Sequence, residues 1–339
     1  MPTENFIAPD ARIYVAGHAG LVGSALVRAL DRAGYRNLIL RTRRELDLTD
    51  AGAVWQFFAA ERPEYVFLAA AKVGGILANR TYPGDFIFQN LAIQTNVIDS
   101  AYRWCTKRLL FLGSSCIYPK LCPQPIKEEY LLAGPLEPSN RPYALAKIAG
   151  IEMCWAYNRQ YGTHFLAAMP TNLFGPGDHY DLLNSHVIPA LLLKMHEAKM
   201  SRAPKVEIWG TGNPRREFLY SEDAADACVF LMNLPDEKLK SIVTDETLAP
   251  IVNIGCGKDQ TIREIAELIA EVVGCDSLLD FDLSKPDGTP RKLLHISRLA
   301  ALGWTPKVSF REGLKRTYQD FSENIAQSSR AVRAPATVR

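Results

Sequence analysis

The chain reads as an α/β protein: a doubly wound parallel sheet followed by a smaller α/β unit. Three observations predict this. Short apolar runs alternate with helix-length stretches through the first half, the order expected of right-handed strand–helix–strand crossovers. The first apolar run leads straight into a glycine-spaced loop and then a helix. After residue 175 the pattern changes to shorter strands and polar turns. We expect residues 1–173 to form the sheet domain and 174–324 the second unit. The segment from about 218 to 254 is expected to return to the first domain, and 325–339, rich in Ala, Ser and Arg, to form a mobile tail.

Bulk properties narrow the function classes. The 339 residues, 47% hydrophobic and 22% charged, suit a globular protein of two small domains or one large one with an insertion. A formal charge of +2 without a large basic cluster argues against nucleic acid as a partner. Lys72 interrupts the longest apolar stretch, Val66 to Ala78, so no membrane span is expected. Met1 to Asp10 has neither an apolar core nor a basic flank, unlike a secretion signal. Seven cysteines without C-x-x-C spacing imply free thiols, no metal site and a cytoplasmic setting.

Taken in order, Arg12-Ile-Tyr-Val-Ala16 is a short strand. It runs into Gly17-His-Ala-Gly20-Leu21-Val22-Gly23 and a helix carrying Leu26 and Leu30, closed by Gly34. A strand–glycine loop–helix unit offers backbone N–H groups to a pyrophosphate. The second strand, Leu38-Ile-Leu40, ends in Arg41-Thr-Arg43-Arg44. An acid here would favour a ribose 2′-hydroxyl, whereas arginines favour a 2′-phosphate or simply form a solvated basic turn. Asp47-Leu48 is placed to meet an adenine edge. A helix over Val54 to Phe58 precedes Pro63, and Tyr65 to Ala71 is continuously apolar, as a strand buried on both faces should be.

Asn90 to Trp104 has helical spacing, and Leu109 to Leu112 forms a buried strand ending at Gly113 and Ser114. Six prolines between Tyr118 and Pro142 make that stretch an irregular loop. The helix Tyr143 to Tyr161 puts Tyr143 and Lys147 on one face. An ammonium near a phenol favours the phenolate, which would make Tyr143 an acid near neutral pH. With the Ser114 hydroxyl sharing the same oxygen, the pair suits protonation of a carbonyl oxygen as a hydride reaches its carbon. The apolar surplus of this helix is either core or a face for a second copy. Phe165 to Met169 is a strand, Ala190 to Ala198 a short helix, Lys205 to Trp209 a strand, Asp223 to Asn233 a helix and Ile251 to Gly255 a strand. Thr261 and Glu264 form a capping box for the helix Ile262 to Val273, and Lys285 to Lys292 is a polar turn.

Gly17-x-x-Gly20-x-x-Gly23, Ser114 at a strand end, Tyr143-x-x-x-Lys147 and Pro170-Thr-Asn172-Leu-Phe-Gly175-Pro together resemble the extended short-chain dehydrogenase/reductases that act on nucleotide sugars. The resemblance spans roughly residues 10 to 320, and four blocks sharpen it: Ala69 to Ile76, Leu112 to Lys120, Asn184 to Pro189 and Ser284 to Lys292. They are similar to members that epimerise a GDP-linked 4-keto sugar and then reduce it. The resemblance implies a Rossmann fold, NADP(H) as cofactor, a GDP-sugar substrate and a homodimer formed through helices Asn90–Trp104 and Tyr143–Tyr161. It implies Cys116 as epimerisation base, with alternation along an extended chain pointing it the same way as Ser114. His186 would be its acid partner, Ser114 and Tyr143 would hold the C4 oxygen, and Lys147 would lower the Tyr143 pKa and bind the nicotinamide ribose. Gly17, Gly20, Leu21, Val22, Gly23, Arg43, Asp47, Leu48, Ala70, Leu112, Gly113, Lys147, Pro170, Asn172, Leu173 and His186 would line the cofactor. Asn172, Lys194, Trp209, Arg216 and Asp287 would bind the GDP-sugar. Ala19 stands where the family often has arginine, which leaves Arg43 and Arg44 to meet a 2′-phosphate. Two alternatives are a sister activity without the C3 step and a non-catalytic NADP(H) sensor on the same fold. Sensors of that kind typically lose the Tyr or the Lys, and both are present here.

Overall fold

The strands of the main sheet are mostly apolar and buried, and that burial fixes the architecture. The computed structural model describes residues 6–180, 186–285 and 287–333, without the side chains of Ile76 and 325–333. Asn184, Ser185, Pro286 and the tail beyond Arg333 lie outside the described residues. The strands are β1 (Ile13–Ala16), β2 (Leu38–Ile39), β3 (Tyr65–Leu68), β4 (Arg108–Leu112), β5 (Phe165–Pro170), β6 (Asn172–Phe174), β7 (Lys205–Trp209), β8 (Arg215–Tyr220), β9 (Ile251–Ile254), β10 (Asp259–Thr261), β11 (Leu278–Asp282) and β12 (Arg291–Lys292). The helices are α1 (Leu21–Arg32), α2 (Ala51–Glu61), α3 (Ile76–Thr81), α4 (Pro83–Arg103), α5 (Arg141–Tyr161), α6 (Val187–Ser201), α7 (Ser221–Met232), α8 (Asp236–Val243), α9 (Ile262–Val273), α10 (Ser297–Leu302) and α11 (Phe310–Arg333).

The main sheet has the order β2-β1-β3-β4-β5-β9, with every pair parallel. Strand order reverses between β1 and β3, so a crevice opens there at the C-terminal ends of the strands. One face is packed by α1, α7 and α8, through Leu26, Leu30, Ala224, Leu231 and Leu239. The other is packed by α2, α4 and α5, through Phe58, Val97, Ile98 and Ile151. Strand β9 lies in this sheet, and Leu299 and Trp304 of the α10 region join its core.

A second layer forms around β8, which pairs with β6 and β12 in parallel and with β10 antiparallel; β7 and β11 make a separate parallel ribbon. Helices α6, α9 and α11 close it, with Leu192, Met195, Ile265, Ile269 and Leu314 at the centre. The Thr261–Glu264 capping box is present.

Several elements differ from expectation. Strand β3 ends at Leu68 rather than Ala71, because the chain lifts off the sheet there toward the crevice. Helix α4 starts at Pro83, seven residues before Asn90, since proline fits the first helical turn. The short α3, α8, β10, β11 and β12 were not anticipated: pieces of two to eight residues carry too little periodicity. Helix α11 continues through the first part of the expected tail to Arg333, a stretch of Ala, Ser and Arg that favours helix well enough to extend an anchored one.

Candidate active site

The crevice begins where β1 turns into α1. Gly17 has φ +83°, and a Cβ there would lie 2.7 Å from the Ala70 backbone nitrogen. A Cβ on Gly23 would sit 2.0 Å from the Gly17 carbonyl oxygen. The loop therefore closes tightly on Ala70 and on the first turn of α1, which carries Leu21 and Val22. Gly20 caps α1 without a side-chain hydrogen bond, and no acid stands in the first turn. The helix thus presents unsatisfied N–H groups of the kind that hold a pyrophosphate, and the residues present fit a dinucleotide. The buried Nδ1 of His18 also lacks a partner among the described residues.

Beyond β2, Arg41 is tied to Glu61 at 2.5 Å, whereas Arg43 is exposed and 3.6 Å from Asp47. Asp47 accepts from the Thr49 N–H and hydroxyl, and these bonds hold its pKa below the usual carboxylate value. Leu48 turns its side chain into the core and its carbonyl accepts from Asn96. The expected contact of Leu48 with an adenine edge is left to its backbone.

At the far side of the crevice, β4 ends at Leu112 and Gly113, and Ser114 caps a single 3₁₀ turn, Ser115–Ile117. The backbone leaves the extended state at once, so strand alternation does not orient Cys116. Instead its N–H donates to Ser114 Oγ at 3.3 Å. Ser114, Cys116, Tyr143, Asn172 and His186 nevertheless line one cavity of about 140 Å³. Tyr143 in the first turn of α5 hydrogen-bonds with Ser114, and its ring meets Phe86 edge-on at 6.3 Å. Burial, and next the charge of Cys116, push the Tyr143 pKa up; the bond from Ser114 opposes them.

Lys147, one turn after Tyr143 on α5, is buried. Its Nζ donates to the Leu112 carbonyl at 2.7 Å and lies over Phe111, with the residue only 3% exposed. Burial lowers its pKa to about 7. His186 caps α6, and desolvation lowers its pKa. Pro170 closes β5, and Asn172 and Leu173 open β6, with Asn172 donating to the Glu217 carbonyl at 2.9 Å.

The other predicted residues gather on the second layer. Trp209 is 60% exposed at the end of β7, with the Lys194 and Lys285 ammonium groups 5.4 and 5.6 Å from its ring centroid. Lys194 also donates to the Glu207 carbonyl at 3.0 Å. Asp287 fixes the turn after β7 by accepting from the Thr211 N–H and hydroxyl. Arg216 lies beside Gly288 and is drawn toward Asp287. An aromatic face, two ammonium groups and a guanidinium suit a planar base and a diphosphate.

Sequence reasoning missed Asn79, Phe86, Ser115 and Asn140, which also line the cavity. Asn79 donates to the Gly74 and Gly75 carbonyls, and its buried Oδ1, like that of Asn140, has no partner among the described residues. Two waiting acceptors suit a ligand rich in hydroxyls. The signal lay in Pro83, which marks the start of a helix facing Tyr143. Among the described residues no His/Cys/Asp/Glu cluster could hold a metal, and no helix is long and apolar enough to cross a membrane.

Residues 13–255 match the model of the NAD dependent epimerase/dehydratase family. The chain is 57% identical over 318 residues to a putative GDP-L-fucose synthase 2 of Arabidopsis thaliana, covering 94% of each. It is 54% identical to the GDP-L-fucose synthase of Escherichia coli (strain K12), over 92% of this chain and 97% of that one. A GDP-L-colitose synthase of Yersinia pseudotuberculosis is 35% identical, over 91% and 97%. Among solved structures, a GDP-6-OMe-4-keto-L-xylo-heptose reductase from C. jejuni superposes with a TM-score of 0.89 at 39% identity, covering 94% and 99%. A GDP-L-fucose synthetase from Naegleria fowleri bound to NADP gives 0.84 at 27% identity, covering 96% and 98%.

Proposed function

The chain belongs to the NAD dependent epimerase/dehydratase family, and from that premise we propose that it has the activity of a GDP-L-fucose synthase. It epimerises GDP-4-keto-6-deoxy-D-mannose at C3 and C5 and then reduces the C4 ketone to give GDP-L-fucose. The observation that carries this reading is the meeting of Ser114, Cys116, Tyr143 and His186 around one small cavity, in a chain more than half identical to GDP-L-fucose synthases along nearly its whole length.

The C4 ketone acidifies the hydrogens at C3 and C5, because either carbanion is delocalised onto the C4 oxygen. Ser114 and Tyr143 hold that oxygen. Desolvation keeps Tyr143 a neutral phenol at pH 7, which makes it a hydrogen-bond donor to the enolate and the acid that protonates the alkoxide. Cys116 takes the carbon-bound proton. His186, neutral at pH 7 because burial lowers its pKa, returns a proton from its ring N–H, as a neutral imidazole in a desolvated site does. Bound NADPH supplies the hydride to C4, with Arg43 and Arg44 selecting the 2′-phosphate. Lys147 lies beneath the crevice, where an anionic ligand would restore its charge and so favour ionisation of Tyr143.

Trp209, Lys194, Arg216 and Asp287 receive the GDP moiety. Residues 1–173 with the returning segment act as the cofactor domain, and the second layer as the substrate domain. Phe88 on α4 and Leu145 and Tyr161 on α5 are exposed apolar side chains, which supports pairing of this face with a second copy; sedimentation equilibrium reads that directly.

The function is tested by incubating the protein with GDP-4-keto-6-deoxy-D-mannose and NADPH. NADPH is consumed and proton NMR shows the L-fuco product. Unoxidised NADPH, or faster turnover of a 4-keto-3,6-dideoxy sugar, would contradict it.

A further inference from the structure

Beside the thiol of Cys116 stands an ammonium to which no role has yet been given, that of Lys292 at the end of the Ser284–Lys292 block. Lys292 Nζ lies 3.7 Å from Cys116 Sγ, joining residues 176 positions apart. Strand β12 pairs with β8 so that Lys292 is opposite Arg216. The backbone around it is fixed from both sides. The Leu293 N–H donates to Gln124 Oε1 and the Leu294 N–H to buried Glu217 Oε2, each at 2.9 Å. Its neighbour Arg291 gives its charge to Asp259, whereas the partner of Lys292 is the sulfur.

We propose that Lys292 is a positioning residue that holds Cys116 as a thiolate aimed at the sugar carbons flanking the C4 ketone. The inference rests on the epimerase reading of Cys116. Its sulfur forms an S–H bond as the C3–H or C5–H bond breaks. The electron pair of that bond passes into the ketone as an enolate held by Ser114 and Tyr143. The carbon then takes a proton from His186 on its other face, and both groups exchange protons with water to return to their starting state.

A thiolate at this place has its countercharge in the Lys292 ammonium, 3.7 Å from the sulfur. A charge on Cys116 disfavours ionisation of Tyr143 on α5, and neutral His186 on α6 offers no charge. Lys292 also acts on the Cys122 thiol in the loop before α5. Arg216, across the strand pair, donates from its guanidinium to the Arg215 carbonyl at 2.8 Å. A flexible stem with a compact ammonium can follow the sulfur, and no local pattern in the sequence places residue 292 near residue 116.

The test is alkylation of the full-length protein by iodoacetamide, read at Cys116 by mass spectrometry with exposed Cys105 as internal reference. In Lys292→Met, modification of Cys116 at pH 7 slows about tenfold, and the deficit closes near pH 10, where thiols ionise unaided. Lys292→Arg keeps the charge and stays within about twofold of the natural protein. Lys292→Gln repeats the measurement should the Met variant not fold. Solvent-deuterium exchange at C3 and C5 falls in parallel. Equal alkylation of Cys116 at pH 7 with and without the ammonium would overturn the proposal. Alkylation needs no sugar, so it judges Lys292 even if the natural protein exchanges no sugar protons, a result that would instead remove the epimerase reading.

Discussion

The sugar end and the nucleotide end of the crevice are built in opposite ways. Tyr143 and Lys147 are desolvated, and both titrate far from their ordinary values. Ser114 and Cys116 are locked to each other at the end of a fully buried strand. Trp209, Lys285 and Asp287 sit on a two-stranded ribbon and its turns, open to water, with half-buried Lys194 reaching them from α6. Burial gives the first group altered acidity and fixed positions, which proton transfer requires. Exposure leaves the second group an open aromatic face ringed by charged side chains, suited to holding a nucleotide. Mutations at the two ends should therefore fail differently.

The largest effect is expected at Tyr143. Tyr143→Phe removes the phenol that hydrogen-bonds with Ser114, and NADPH oxidation at saturating sugar should fall about 10³-fold, with the melting temperature held. Near-normal turnover would mean that the buried end is not where the ketone is protonated.

Lys147 tests the cost of the desolvation itself. An ammonium titrating at about 7 in the fold but at its ordinary value when unfolded penalises the native state most at and below pH 7. That penalty fades as pH rises toward 10, because the unfolded chain binds the extra proton in that window. Without cofactor, Lys147→Met should be more stable at pH 7 by on the order of 2 kcal/mol, after allowing for the lost bond to Leu112. The gap should close by pH 10. A denaturant titration at several pH values reads both.

At the exposed end, Trp209→Ala should raise the KM for the GDP-sugar about tenfold and leave kcat nearly unchanged, as the loss of one cation–π platform predicts. A fall in kcat instead would blur the division between the two ends. The smallest effect belongs to Arg43, exposed and only loosely paired with Asp47. Arg43→Ala should raise the KM for NADPH about fivefold and leave that for NADH unchanged, the difference reporting a single screened phosphate contact.

Much of the buried end was legible because its signals are local. The glycine spacing, the apolar strands and the Tyr143–Lys147 interval each act within one turn or one loop. What the sequence did not show there is tertiary: the Lys147 ammonium donates to the Leu112 carbonyl at the end of β4, and Cys116 leaves the strand in a 3₁₀ turn instead of continuing it. The exposed end was legible only through family resemblance. Its strands are short, β7 alternates exposed and buried residues on a two-stranded ribbon, and β10 and β12 hold three and two residues. Asn79 escaped notice because α3 is too short to show a period, and Lys292 because its partner is far away in sequence.

The central claim is that one sugar ring reaches both the sulfur of Cys116 and the phenol of Tyr143. Proton NMR of the product formed in deuterated buffer by Cys116→Ser tests it most directly. The account predicts loss of deuterium at C3 and C5 by at least about 10²-fold, with NADPH still bound. Deuterium entering both carbons at the natural rate would contradict it.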